Sequence, residues 1–121
     1  MTAGELITGA DALHPNAFST GQKLLWLREL DMMVADELLA THAFSDPSAR
    51  PAESYTEQTV LLVPEPYGRE LYSAWIYGKM DMANGESDRF NRSAGHFNSA
   101  WRQYADYVNR TTLPLGRTVR L

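Results

Sequence analysis

The sequence contains no cysteine in its 121 residues. This absence excludes a disulfide framework, a thiol nucleophile and a thiolate metal site, and it favours a reducing compartment. The first residues also lack a basic segment followed by an apolar run, and no stretch of about 18 apolar residues occurs along the chain. We therefore expect neither secretion nor membrane insertion.

The sequence also lacks the motifs of common catalytic and phosphate-binding sites. It has no phosphate-loop glycine pattern, no Gly-x-Ser-x-Gly elbow and no Glu-x-x-His pair for a di-iron bundle. The histidines His14, His42 and His96 lie in a proline-terminated turn, at a helix end and on a helix flank, which does not suit a Ser-His triad. We predict no catalytic residue, no metal site and no cofactor, and therefore a protein that is not an enzyme.

Paired carboxylates could still support the acid/base chemistry of a glycosidase. The candidates are Asp31, Asp81, Glu86 and Asp88. Solvated helix faces and favourable negative charge near helix N-termini are the simpler interpretation. We therefore expect these four residues to be surface charges.

Charge is distributed unevenly along the chain. The formal net charge of -4 argues against a phosphate-binding surface, because nucleic-acid affinity without sequence specificity comes from Lys and Arg. From residue 110 to residue 121 the only charged side chains are Arg110, Arg117 and Arg120, so this tail carries +3. The rest of the chain has 8 basic and 15 acidic residues and carries -7.

Helical periodicity is the main pattern that the sequence does have. Apolar residues recur at spacings of three and four, which predicts helices over residues 6–13, 20–41, 69–83 and 86–109. Ser19 and Gln22 have the spacing of a capping box. Asn84 and Gly85 end the third helix, so the last two helices should form an antiparallel hairpin.

The predicted fold is mainly α: a small helical bundle with a helical hairpin, one short extended segment and an extended C-terminal arm. We expect a helical domain over residues 1–110, with a loop at 43–58, and the arm over residues 111–121. The last helix should supply the core seam through Phe90, Ala94, Phe97, Trp101, Tyr104 and Val108.

Two kinds of residue are candidates for binding partners. Trp75 and Trp101 lie on apolar stripes and are assigned to the core, whereas Trp26, Tyr77 and Tyr107 lie off the main stripes, as aromatic interface anchors do. The β-branched segment at 60–63, if it is a strand, needs a partner strand, and the alternating arm is expected to dock on a partner. The residues of these two segments are Val60, Leu61, Leu62, Val63, Arg117, Thr118, Val119, Arg120 and Leu121.

Short motifs that span most of the chain carry a family resemblance. They are His-Pro-Asn-Ala-Phe at 14–18, Lys-Leu-Leu-Trp-Leu-Arg-Glu-Leu-Asp at 23–31, Leu-Val-Pro-Glu-Pro-Tyr at 62–67, Asp-Met-Ala-Asn-Gly-Glu at 81–86, Phe-Asn-Ser-Ala-Trp at 97–101 and Asn-Arg-Thr at 109–111. The pattern resembles the small head-tail connector, or adaptor, proteins of tailed bacteriophages and prophages. Gly68 departs from it, since the pattern has an acidic residue at that position.

The resemblance implies a structural virion protein in the neck of the particle, assembled in the host cytoplasm. Copies would form a ring beneath the dodecameric portal and join the DNA-filled head to the tail. The implied partners are the portal protein, neighbouring copies and a stopper or tail-completion protein; DNA would pass through without sequence-specific binding, and no membrane is involved. Alternatives are tail completion, a capsid-associated protein, a phage enzyme such as a lysis hydrolase, or a non-viral helical protein-binding module.

Overall fold

The fold, taken from a computed structural model, is described for residues 1–39, 42–43, 50–111 and 113–114. Most of this part of the chain lies in four α-helices: α1 (Ala3–Leu13), α2 (Thr20–Val34), α3 (Tyr67–Ala83) and α4 (Ser87–Thr111). The short strands β1 (His42–Ala43) and β2 (Leu113–Pro114) pair in antiparallel orientation. The predicted mainly α bundle with a helical hairpin is confirmed.

The first two helices begin at hydroxyl caps. The Ser19 hydroxyl accepts a hydrogen bond from the Gln22 N–H at 3.1 Å. This bond confirms the predicted start of α2, because a capping hydroxyl satisfies a donor that the helix leaves unpaired. Thr2 caps α1 in the same way by accepting from the Glu5 N–H at 3.2 Å, so α1 begins earlier than predicted.

The second helix does not continue to residue 41 as one regular helix. Its α-helical part ends at Val34, and a π-helical segment, Ala35–Leu39, follows directly. Residues 40 and 41 lie outside the described residues. The predicted length is therefore confirmed only in part.

The last two helices form the predicted hairpin. The Asn84 N–H donates to the Met80 C=O at 2.9 Å, and Gly85 follows with φ of 71°, a left-handed conformation that glycine adopts without steric cost. Helix α4 extends to Thr111, so the predicted boundary between domain and arm falls inside the helix. The start of the predicted arm, Leu113–Pro114, then pairs with His42–Ala43 of the same chain.

The core lies where α1, α2 and α3 meet the segment that precedes α3. Its fully buried side chains include Leu6, Leu27, Leu30, Val63, Leu71, Tyr72 and Ile76. On α4, Tyr104 and Val108 are buried, whereas the other seam residues are partly exposed, namely Phe90, Ala94, Phe97 and Trp101. The predicted seam thus faces the bundle, but only its C-terminal half is buried.

Gly68 allows the start of α3 to lie against the residues before it. A Cβ atom at this position would lie 2.5 Å from the Val63 carbonyl oxygen and 3.3 Å from Cε2 of Tyr72. The nearest atom belongs to the backbone, so the contact could not be relieved by a side-chain rotation. This close approach accounts for glycine at position 68.

We predict that Gly68→Ala lowers the free energy of unfolding by about 2 kcal/mol or more, because the added methyl group forces α3 away from Val63. Gly95→Ala is the matched control, since no neighbouring atom lies within 4 Å of a Cβ atom there. The control should raise stability by about 0.5–1 kcal/mol through helix propensity. Urea unfolding followed by circular dichroism measures both; wild-type stability of Gly68→Ala would contradict the close approach.

Candidate functional site

Asp31 is a carboxylate with no exposed surface in the middle of the core. The Tyr72 hydroxyl donates a hydrogen bond to one carboxylate oxygen, and the Tyr55 hydroxyl donates to the other at 2.6 Å. The Leu62 N–H also donates to that second oxygen at 3.3 Å. All three donors converge on one group, which suits an ionised carboxylate because it only accepts hydrogen bonds.

The Tyr72 hydroxyl extends this network to a second backbone group. It accepts from the Val63 N–H at 2.8 Å while it donates its own proton to Asp31. We name the network the Asp31 anchor: Asp31, Tyr55, Tyr72 and the N–H groups of Leu62 and Val63. The anchor joins α2, α3 and the segment at residues 55–63, and it pairs backbone donors that burial would otherwise leave unsatisfied.

The pKa values of the anchor follow from its burial. Desolvation raises the pKa of Asp31 above the ordinary 3.8, and the hydrogen bonds from Tyr55, Tyr72 and Leu62 act in the opposite direction. Burial together with the nearby Asp31 charge raises the pKa of both tyrosines, so both hydroxyls remain donors. Each polar group of the anchor is hydrogen-bonded to another group of the anchor. The network therefore has a structural role.

The expectation that Asp31 is a surface charge is wrong. A sequence signal for burial was present, because Leu27, Asp31, Val34 and Leu38 recur at spacings of four, three and four on one face of the helix. An acidic residue on an apolar stripe indicates a buried polar partner. The partners themselves are distant in sequence, and no local pattern identifies them.

A second buried charge joins α1 to α2. Lys23 is 3% exposed, and its ammonium lies 2.8 Å from the Asp11 carboxylate. The Asn16 side chain donates to the same carboxylate at 2.9 Å and accepts from the Phe18 N–H at 3.1 Å. The ion pair compensates for an ammonium group that would be very costly to bury alone.

Three of the predicted partner-binding residues belong to the core instead. Trp26 is 7% exposed and packs against Phe18, with ring centroids 5.4 Å apart. Leu61 and Val63 are 4% and 0% exposed, because the segment around them pairs with the N-terminal residues and turns these side chains inward. The prediction that Trp26, Leu61 and Val63 lie on a partner surface is therefore wrong.

The other predicted binding residues are spread over the molecule. Val60 is largely exposed and Leu62 partly so. Tyr77 lies against the end of α1, whereas Tyr107 lies against the start of α3. These residues do not form one common surface. The arm residues lie outside the described residues: Arg117, Thr118, Val119, Arg120 and Leu121.

Three partly exposed aromatic rings form a continuous strip on α3 and α4. The ring centroids of Trp75 and Phe97 lie 5.3 Å apart, and those of Phe97 and Trp101 lie 5.9 Å apart. The Lys79 ammonium lies 4.8 Å from the Trp75 ring centroid, and the Trp75 indole N–H donates to the Trp26 C=O at 2.7 Å. We name Trp75, Phe97 and Trp101 the aromatic strip. Their assignment to the core was only partly correct, since periodicity does not distinguish the centre of a bundle from its edge.

A polar cleft of ≈ 420 Å³ lies between α3 and α4, on the side of Tyr77. Its lining includes Ser73, His96 and Gln103. The Ser93 hydroxyl in this cleft donates to Asp81 at 3.0 Å, so it is engaged by a carboxylate. Among the described residues, no three His, Asp or Glu side chains are grouped so that they could hold a metal ion.

In the described part of the chain, no helix combines the length and apolar character needed to cross a membrane. Comparison of the chain with protein-family models, with curated proteins and with solved structures finds no match.

We predict that Tyr72→Phe lowers the free energy of unfolding by about 3 kcal/mol, because it deprives both the Asp31 carboxylate and the Val63 N–H of a buried partner. Tyr77→Phe is the matched control, since its hydroxyl donates to the Ala10 C=O at 3.2 Å from a partly exposed position. The control should lower the free energy of unfolding by about 1 kcal/mol or less. Denaturant unfolding of both variants is the measurement, and equal losses would contradict a central role for the Asp31 anchor.

The raised pKa of Asp31 predicts pH-dependent stability. The folded state binds the Asp31 proton more tightly than the unfolded chain, so this contribution to stability falls as pH rises from about 4 through the native pKa. Asp31→Asn removes the titration. Denaturant unfolding at about pH 4 and about pH 7 should therefore give a stability difference, wild type minus variant, that is smaller at the higher pH. A larger difference at the higher pH would refute the direction of the shift.

Proposed function

We propose that the protein is a structural subunit of a bacteriophage or prophage virion, a head-tail connector that assembles as a ring beneath the portal. In this role the chain acts by association and carries out no chemical reaction. The sequence resemblance supports this assignment. The aromatic strip is the structural observation that carries it, because a subunit that acts by association needs apolar surface that stays accessible after folding.

The aromatic strip has the composition of an interface centre. Trp75, Phe97 and Trp101 combine large apolar area with few rotatable bonds, which makes aromatic side chains common anchors. Lys79 and Glu29, whose charged groups lie 3.1 Å apart, border the strip and supply the polar rim that surrounds such centres. The strip is built on helices, so a partner meets side chains that are positioned before binding.

A closed ring also needs two different surfaces on each subunit, because head-to-tail contacts join unlike patches. Trp75 faces the side of α3 next to α2, since its indole bonds to Trp26. Tyr77 faces the side next to α1, where its hydroxyl bonds to Ala10. Side chains two positions apart on an α-helix are rotated by about 200° about the helix axis, so they lie on nearly opposite sides. Trp75 and Tyr77 therefore lie on nearly opposite sides of α3, so the subunit has two different aromatic surfaces that could serve unlike contacts.

The charge of the chain agrees with a position around passing DNA. The net charge is -4, and the residues before position 110 carry -7 because they hold 8 basic and 15 acidic side chains. A basic wall would hold the DNA at every phosphate, whereas an acidic wall lets it slide without sequence-specific binding. The proposed protein partners are the portal, neighbouring copies and a stopper or tail-completion protein.

We predict that native mass spectrometry of the chain with its cognate portal protein detects a complex with many copies of the chain. Trp101→Ala should abolish this complex at concentrations at which wild type forms it, because truncating an interface anchor costs about 2 kcal/mol or more of binding free energy. Leu25→Ala is the control, since Leu25 is 58% exposed and lies on α2 outside the strip. Thermal melts verify that both variants are folded.

Two results would contradict this proposal. Free monomer of the wild-type chain at all salt concentrations, with the portal present, would refute the connector role. Normal complex formation by folded Trp101→Ala would exclude the aromatic strip as the interface and would remove the main structural support for the proposal.

A further inference from the structure

The antiparallel contact between the N-terminus and the segment before α3 leaves one backbone edge open. Backbone hydrogen bonds of 2.8 Å and 3.0 Å flank the Thr2–Val60 pair. In a pair of this type the N–H and C=O of Val60 point away from the strand that contains Thr2. Among the described residues nothing bonds to these two groups of Val60, and its side chain is 66% exposed. We name this feature the Val60 edge.

An open acidic groove lies between α1 and the segment that contains Val60. It has a volume of ≈ 570 Å³ and is lined by Gly4, Glu5, Thr8, Gly9 and Glu57. The Gly4 N–H donates to the Glu57 C=O at 2.8 Å, so one end of the groove lies at Glu57, three residues before Val60 in the same segment. Arg69 also lies near the groove, but its guanidinium is paired with Glu65 at 2.6 Å. The groove therefore presents carboxylates between small side chains.

The C-terminal segment of the same chain has the complementary composition. Residues 115–121 contain Arg117 and Arg120 and no acidic side chain. Polar and apolar residues alternate over residues 118–121. An extended peptide of this kind can bond to an open backbone edge, while its side chains contact the surfaces on either side. Arginine also pairs well with carboxylates through charge-assisted hydrogen bonds.

The segment is long enough for an extended contact with a neighbouring copy. Strand β2 ends at Pro114, and the residues that follow it can span about 24 Å when fully extended. We propose that residues 115–121 of one copy dock on the Val60 edge and the Glu5–Glu57 groove of a second copy. This inference rests on the proposed function, since it names a contact that joins neighbours in the ring. Each copy gives one such contact and receives another, as head-to-tail closure requires.

Sedimentation velocity of full-length variants tests the proposal by complementation. Val60→Lys keeps the segment but adds a positive charge to the docking surface, whereas the double variant Arg117→Glu, Arg120→Glu keeps the surface but reverses the charge of the segment. Each variant alone should self-associate at least about tenfold more weakly than wild type. An equimolar mixture should form a 1:1 heterodimer, because one intact groove and one intact segment remain.

Leu25→Lys is the matched control, because Leu25 and Val60 are 58% and 66% exposed and Leu25 lies on α2 away from the groove. It should associate like wild type. A monomeric wild type, an unaffected Val60→Lys variant or a mixture without heterodimer would each overturn the inference. None of these results refutes the connector role if the portal complex still forms and still requires Trp101. A heterodimer without any portal complex would support the docking contact and refute the connector role.

Discussion

The carboxylate of Asp31 is the acceptor on which the packing of three separate parts of the chain depends. It lies on α2, and its donors come from α3 and from the segment at residues 55–63. Without it, the Leu62 N–H and the hydroxyls of Tyr55 and Tyr72 would lose their acceptor, at a cost of about 1–3 kcal/mol for each donor left unsatisfied. With it, Leu61 and Val63 fill the core, and α3 can begin directly against Val63 because residue 68 is glycine.

The proposed assembly surfaces lie on different elements of the fold, and the anchor fixes how they are arranged. The aromatic strip is built on α3 and α4 beside α2, whereas the Val60 edge belongs to the segment that pairs with the start of α1. The Asp31 anchor joins α2, α3 and that segment. The relative orientation of the two surfaces is therefore set by folding, which reduces the ordering cost of association.

Local sequence patterns predicted the features that depend on interactions between residues close in sequence. The Ser19 cap, the helix end at Asn84 and the mainly helical periodicity all correspond to observed boundaries. Positions within the bundle were harder to predict: Trp26 is buried, whereas Trp101 lies at the edge. Which stripe faces the interior depends on distant pairings such as that of Asp31 with Tyr72, 41 residues further along the chain, and no short sequence window contains both.

The Asp31 anchor also affects the local unfolding of the segment at residues 55–63. Segments outside regular secondary structure usually separate from a protein at little cost, because few contacts hold them. Here the N–H groups of Leu62 and Val63 are bonded to side chains of α2 and α3; Val63 is fully buried, whereas Leu62 is partly exposed. The Val63 amide, whose partner Tyr72 is also fully buried, becomes accessible to solvent when α3 and this segment separate. An amide in an irregular segment is therefore protected by core packing, as the amides of the surrounding helices are.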